Sequence, residues 1–170
     1  MTTSRNEQLI PDRTVAIYIH SRGFSYAVMD SPLELIETRL WEIPLKETTR
    51  IKRAMQMVIQ KHQPSTLIVE DCNSRYSRKG KRAKNLIHSL VLWAKKNSIP
   101  CYAYTRDDIR SVFEPWKAKN RHQISEVLVR NIEQLKSYAY EKPSYPNKEK
   151  NVAAIFVAVS LSVTHYFLKE

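Results

Sequence analysis

The chain predicts one mixed α/β domain of three layers, a five-stranded sheet with helices on both faces. Three observations carry this. The segments run strand, strand, strand, helix, strand, helix, strand and then helices, with neither repeats nor a dividing linker. The run Thr66-Leu67-Ile68-Val69-Glu70 is almost wholly apolar and closes on an acid, as in a buried parallel strand whose polar end opens into a cleft. Finally, 170 residues at 42% apolar content suffice for one core, since a domain of that size buries roughly 70% of its unfolded surface.

Element by element, Thr14 to His20 and Phe24 to Met29 flank Ser21, Arg22 and Gly23 and read as a tight hairpin, with a third strand over Leu35 to Ile43. From Lys46 to His62, Ile51, Ala54, Met55, Val58 and Ile59 fall at helical three-and-four spacing, and Gln63-Pro64 ends the helix. After the Thr66–Glu70 strand, Ala83, Leu86, Ile87, Leu90, Val91 and Ala94 mark a second helix, and Pro100 to Thr105 a fifth strand. Thr105 is placed to cap a helix over Arg106 to Phe113. A helix over Asn120 to Ile132, an aromatic, proline-rich loop from Tyr138 to Pro146, and a last helix from Lys150 to Leu168 complete the chain. Residues 1–12 read as a flexible lead and 13–170 as the domain.

Composition excludes several classes. Two glycines, Gly23 and Gly80, cannot build a Walker loop or a dinucleotide fingerprint, which need several positions free of Cβ around a phosphate. Cys72 and Cys101 form no CxxC pair and read as free thiols in a reducing compartment. Met1 to Arg13 has no apolar signal core, and Val152 to Phe167 is interrupted by polar residues and shorter than the roughly 20 residues that span a bilayer. A cytoplasmic protein without a membrane partner is the expectation. The five histidines show no zinc-binding spacing.

The 28 Lys and Arg against 17 Asp and Glu leave a formal charge of +11, a field that attracts polyanions. Six cations, Arg75, Arg78, Lys79, Lys81, Arg82 and Lys84, fall within ten residues that hold no acid. A solvated face is the plain reading of such a run. Its place directly after the strand ending at Glu70 favours phosphate contact instead. Tyr138, Tyr140, Lys142, Tyr145 and Lys148 interleave rings with cations, which suits either stacking on unpaired bases or packing of the loop.

The hairpin sequence Val15-Ala16-Ile17-Tyr18-Ile19-His20-Ser21-Arg22-Gly23-Phe24, the step Leu67-Ile68-Val69-Glu70-Asp71-Cys72, the segment Asn120-Arg121-His122-Gln123-Ile124 and the helix core Ala154-Ile155-Phe156-Val157-Ala158-Val159 occur in an order and spacing that matter jointly. On these the chain, from Thr14 to Leu168, resembles the RuvC-like Holliday-junction resolvases of the ribonuclease H superfamily. The resemblance implies a ribonuclease H-like fold and a cleft in which acids on the first strand, the fourth strand and the last helix hold Mg²⁺ ions.

Carried over residue by residue, the fourth-strand acid falls on Glu70, the one metal ligand retained, with Asp71 beside it. The first-strand acid falls on Tyr18, a phenol, and the last-helix acid on Val157, which has no donor atom. A further helix acid falls on Lys150, or on Glu149 if the register slips by one. The resemblance therefore implies a degenerate nuclease site whose residual acids are Glu70, Asp71 and Glu149, with no cofactor expected. Lys150 or a neighbouring cation is expected to place its ammonium against Glu70 and Asp71. The nucleic-acid contacts expected are His20, Arg22, Arg75, Arg78, Lys79, Lys81, Arg82, Lys84, Lys119, Arg121 and His122, with branched DNA as the favoured partner, RNA as an open alternative, and a homodimer implied by the resemblance alone. The competing readings are an active Mg²⁺- or Mn²⁺-dependent junction endonuclease with a shifted acidic site, and a non-catalytic subunit of a protein assembly.

Overall fold

A computed structural model describes residues 12–73, 79–142 and 152–169. Alternating apolar residues make β1 (Thr14–His20) and β2 (Gly23–Ser31) an antiparallel hairpin, in register from Thr14 opposite Met29 to His20 opposite Gly23. β3 (Glu34–Glu42) adds antiparallel to the outer side of β2. Helix α1 (Thr48–His62) then carries the chain to β4 (Thr66–Glu70), parallel to β1 on its other side, and α2 (Lys81–Lys96) carries it to β5 (Cys101–Tyr104), parallel to β4. The strand order is β3-β2-β1-β4-β5. With helices on both faces, this is the expected mixed five-stranded ribonuclease H-like α/β sheet.

The pleat divides the strand residues between two cores. Val15, Ile17, Ile19, Leu67 and Val69 point to one face and pack with Ile51, Met55, Leu86 and Leu90 of α1 and α2. Ala16, Tyr18 and Ile68 point to the other, against α3 (Arg106–Phe113), α4 (Arg121–Asn131) and α5 (Ala153–Leu168). Glu70 shares the parity of Ile68, so the same period of two that buries Tyr18 under α5 sets Glu70 beside it.

Helix α5 is buried on nearly every side from Ala153 to His165, as a helix apolar all round should be. Its polar side chains are hydrogen-bonded. Ser162 Oγ accepts from Thr14 Oγ1 at 3.1 Å, Ser160 donates to Val157 O at 2.7 Å, Thr164 donates to Ser160 O at 2.7 Å, and His165 Nδ1 lies 2.7 Å from the Tyr104 hydroxyl. From the sheet, Ser25 Oγ donates to Ala154 O at 2.6 Å. These bonds remove the cost of burying hydroxyls in an apolar layer and fix α5 over the ends of β1 and β4.

The caps follow the sequence. Thr105 Oγ1 accepts from Asp108 N at 3.1 Å while Asp108 Oδ2 accepts from Thr105 N at 2.8 Å, a reciprocal capping box. Asn120 Oδ1 accepts from Gln123 N at 2.9 Å and starts α4. Gln63, in the left-handed region at φ 45°, ends α1 ahead of Pro64.

Several expected boundaries move. Helix α1 begins at Thr48 rather than Lys46, because Glu47 rather than Lys46 stands at its N-cap. Short 3-10 turns over Glu114–Trp116 and Glu133–Tyr138 were not anticipated, being too brief for a periodic signal. The predicted start of the last helix at Lys150, most of the predicted lead over 1–12, and Tyr145 and Lys148 lie outside the described residues. Cys72 and Cys101 are both free thiols. Among the described residues, no helix is long and apolar enough to cross a membrane.

Candidate nucleic-acid interface

The C-terminal ends of parallel strands β1 and β4 open into the cleft where α/β sheets place their sites. Its centre is Glu70, whose side chain is only 6% exposed. Burying a carboxylate there requires a counter-charge, and the chain supplies it from the loop entering α2. Lys79, 9% exposed, reaches back across the strand ends and sets Nζ 3.2 Å from Glu70 Oε2. The same ammonium donates to Ile19 O at 2.5 Å and stands 4.2 Å from the centre of the Tyr18 ring. Glu70 Oε2 makes no well-aligned hydrogen bond in addition, so the ion pair is what compensates it. On the other oxygen, Arg106 Nε lies 3.8 Å from Oε1. Arg121 closes the group by donating to the Tyr18 hydroxyl at 3.3 Å, with its guanidinium 5.9 Å from the ring centre.

Two cavities meet at this cluster. One, of about 390 Å³, lies between α3, α4 and α5 and is lined by Glu70, Arg106, Ile109, Arg110, Lys119, Asn120, Arg121, Ile124, Ala153, Phe156, Val157 and Ser160. The other, of about 670 Å³, runs along the hairpin turn and the start of α2 past Tyr18, His20, Ser21, Lys46, Lys79, Gly80 and Arg82. Arg106, Arg121 and Ala153 line both. Together the two surfaces hold seven cations, Lys46, Lys79, Arg82, Arg106, Arg110, Lys119 and Arg121, and one acid, Glu70. Such a surface attracts phosphate.

His20 lines the second cavity half-buried. Arg22 N donates to its Nδ1 at 3.3 Å, so the neutral ring carries its proton on Nε2, a buried donor with no acceptor among the described residues. Burial, then repulsion from Lys79 and Arg22, pulls the His20 pKa from 6.5 down to about 4. Burial lowers that of His165 as well. Both rings are thus neutral in the folded protein at pH values where the unfolded chain binds protons, so stability is full above about pH 6.5 and declines as the pH falls toward 4. The thermal midpoint followed from pH 7 to 4.5 should fall. His20→Asn, which keeps an acceptor for Arg22 N and removes one titrating ring, should make that fall shallower.

The expected site residues separate on inspection. Glu70, Tyr18 and Val157 converge on the first cavity or its edge, and Lys119 and Arg121 line it. His20 and Arg82 line the second, while Arg22 and Lys81 are exposed and Lys84 is half-buried, outside both linings. Lys79, expected on the rim, is instead sunk against Glu70, in the role anticipated for Lys150 or a neighbour of it. Asp71 does not join Glu70: its Oδ1 accepts from Asn73 N at 2.9 Å, closing its own turn. His122 is held by Glu126 at 3.1 Å and by Tyr140 O at 3.0 Å and lines neither cavity. Tyr140 packs on His122 and Phe156, and Tyr138 is half-buried against the same core, so loop packing takes both rings from the alternatives read in the sequence. Arg75, Arg78, Glu149 and Lys150 lie outside the described residues. Arg106, Arg110 and Lys46 were missed. The first two stand at i and i+4 on a helix whose apolar stripe is Ile109, Val112 and Phe113, and cations on that spacing beside the strand ends were the available signal.

Comparison with solved structures agrees with this architecture. The Thermus thermophilus RuvC structure superposes with a TM-score of 0.67 at 17% identity, covering 91% of this chain and 93% of that one. T. thermophilus RuvC in complex with Holliday junction substrate gives 0.64 at 19% identity, covering 91% and 92%. The yeast mitochondrial Holliday junction resolvase Ydc2 gives 0.51 at 15% identity, covering 92% and 79%. The fold is therefore RuvC-like. No family model and no curated protein matches the sequence.

Proposed function

We propose that the protein binds branched or distorted DNA through its phosphates and has lost the metal-dependent nuclease centre of its fold. One observation carries this reading: a lysine ammonium sits 3.2 Å from the buried Glu70 carboxylate, on the side of the cleft where a hard cation would need that oxygen. The remaining donors do not fit a pair of divalent ions. Hard cations take six or more oxygen ligands, chiefly carboxylates, carbonyls and water. Here Tyr18 offers a phenol that accepts from Arg121, and Val157 offers no donor. Among the described residues no three His, Cys, Asp or Glu side chains converge. Adding ions of +2 beside Lys79, Arg106 and Arg121 would place like charges together in a partly dry cleft, which is costly. The same positive surface suits a polyanion. A junction-bound RuvC among the structural neighbours supports branched DNA as the form presented to this cleft.

The test is retention of a labelled four-way junction and of linear duplex in Mg²⁺, Mn²⁺ or chelator, with binding and cleavage scored together. Junction binding without cleavage is expected in all three. Affinity should fall steeply with salt, since each neutralised phosphate releases about 0.9 counterion, and about six contacts cost roughly 10³ in affinity between 50 and 200 mM. Chelator-sensitive nicking would overturn the non-catalytic reading, and no retention of either DNA at low salt would overturn the binding itself.

A further inference from the structure

The smaller cavity has a composition that phosphate binding alone does not explain. Its wall is apolar, made by Ile109, Ile124, Phe156 and Val157, while Arg106 and Arg110 stand at its edge with Lys119 and Arg121. Glu70, its one acid, is already matched by Lys79. The pair between Arg110 and Asp107, 3.6 Å apart with both side chains exposed, is of the weak surface kind and leaves the guanidinium available. A site of about 390 Å³ falls within the roughly 300–1,000 Å³ of small-ligand pockets. Its chemistry asks for an anion attached to a flat, largely apolar body. Bare phosphate would leave the wall uncovered, and a purely apolar ligand would leave the cations without a partner. A nucleotide satisfies both.

The two cavities share Arg106 and Arg121, so a strand lying along the hairpin-side cleft passes directly over the mouth of the apolar one. Resting on the DNA-binding reading above and deepening it, we propose that this cavity receives the base of a single unpaired nucleotide, whose flanking phosphates are held by Arg106, Arg110, Lys119 and Arg121. A paired base cannot enter, because leaving the stack costs free energy that is least where pairing is already broken. Branch points and bulges supply such bases. Selection of distorted DNA then comes from one pocket as well as from the shape of the duplex.

The experiment compares two duplexes of equal length by fluorescence anisotropy at fixed salt, one fully matched and one with a single bulged 2-aminopurine. The bulged duplex should bind at least tenfold more tightly, with a change in 2-aminopurine emission on binding. Arg110→Ala, on an exposed side chain, should reduce that preference several-fold and change the affinity for matched duplex less. Val157→Phe, which fills the cavity, should abolish the preference, and its folding is checked by its thermal midpoint. If it fails to fold, Arg110→Ala and the two duplexes decide alone. Equal affinity for both duplexes with unchanged emission would overturn the pocket while leaving DNA binding intact. Failure to bind either duplex at low salt would overturn both.

Discussion

Lys79→Ala should lower folding stability by about 3–5 kcal/mol, the cost of leaving one member of a buried ion pair without its partner. Glu70 is 6% exposed and Arg106, at 3.8 Å from a half-exposed position, cannot take over the ammonium's place at 3.2 Å. The substitution also removes the hydrogen bond to Ile19 O and the cation over the Tyr18 ring. The loss should be recoverable, because it comes from uncompensated charge. Lys79→Met combined with Glu70→Gln, which removes both charges and keeps most of the volume, should regain most of the stability. Urea unfolding of the two single variants and the double variant gives the coupling. A single variant as stable as the parent would mean that the Glu70–Lys79 contact is not what holds the cleft together, and the case against a metal centre would lose its main support.

Much of this arrangement was legible before any coordinates. The period of two in β1 and the apolar run of β4 placed Tyr18 and Glu70 at neighbouring strand ends, because burial enforces strand register. The caps were readable for a similar reason: Thr105 with Asp108 three residues on is a local pattern whose hydrogen bonds involve only adjacent backbone. Lys79 was not legible as the counter-charge. Within a run of six cations nothing local distinguishes the one whose loop folds back over Ile19 and Tyr18, since that choice is made by burial of a distant carboxylate. Tyr138 and Tyr140 illustrate the same limit. Their partners, His122 and Phe156, lie on two other helices, and a sequence with rings and cations side by side reads equally well as a stacking surface.

The positive cleft is also a consequence of what Glu70 became. Where a carboxylate cluster is compensated by ions from solution, the protein's own charge near the site is negative. Here Lys79 and Arg106 compensate Glu70 from within the chain, and Lys46, Arg82, Arg110, Lys119 and Arg121 add to them. Internal compensation and a cationic surface thus go together, which is why one contact bears on both the loss of cutting and the retention of grip.

Gly23→Ala should be at least as damaging as the loss of Lys79, about 4 kcal/mol or more, because two separate mechanisms act at one residue. Gly23 starts β2 at φ +150°, a region that L side chains rarely adopt. A Cβ there would sit 2.0 Å from Trp41 O and 2.8 Å from Ile43 N, both backbone atoms of the strand-ending segment that pairs with the turn. Relief requires the end of β3 to move, breaking the bond from Ile43 N to Arg22 O at 3.1 Å and disturbing Trp41, stacked on Phe24 with ring centres 6.2 Å apart. The damage should reach the cleft, since the same turn carries His20 and ends the strand whose Ile19 O holds Lys79. Gly80→Ala is the matched control: nothing lies within 4 Å of its added methyl, so the change should be near neutral. Thermal midpoints of the two variants, with junction retention measured below the lower midpoint, separate the cases. A Gly23→Ala protein that melts with the parent and binds equally would show that the turn adjusts freely and does not fix the position of the cleft.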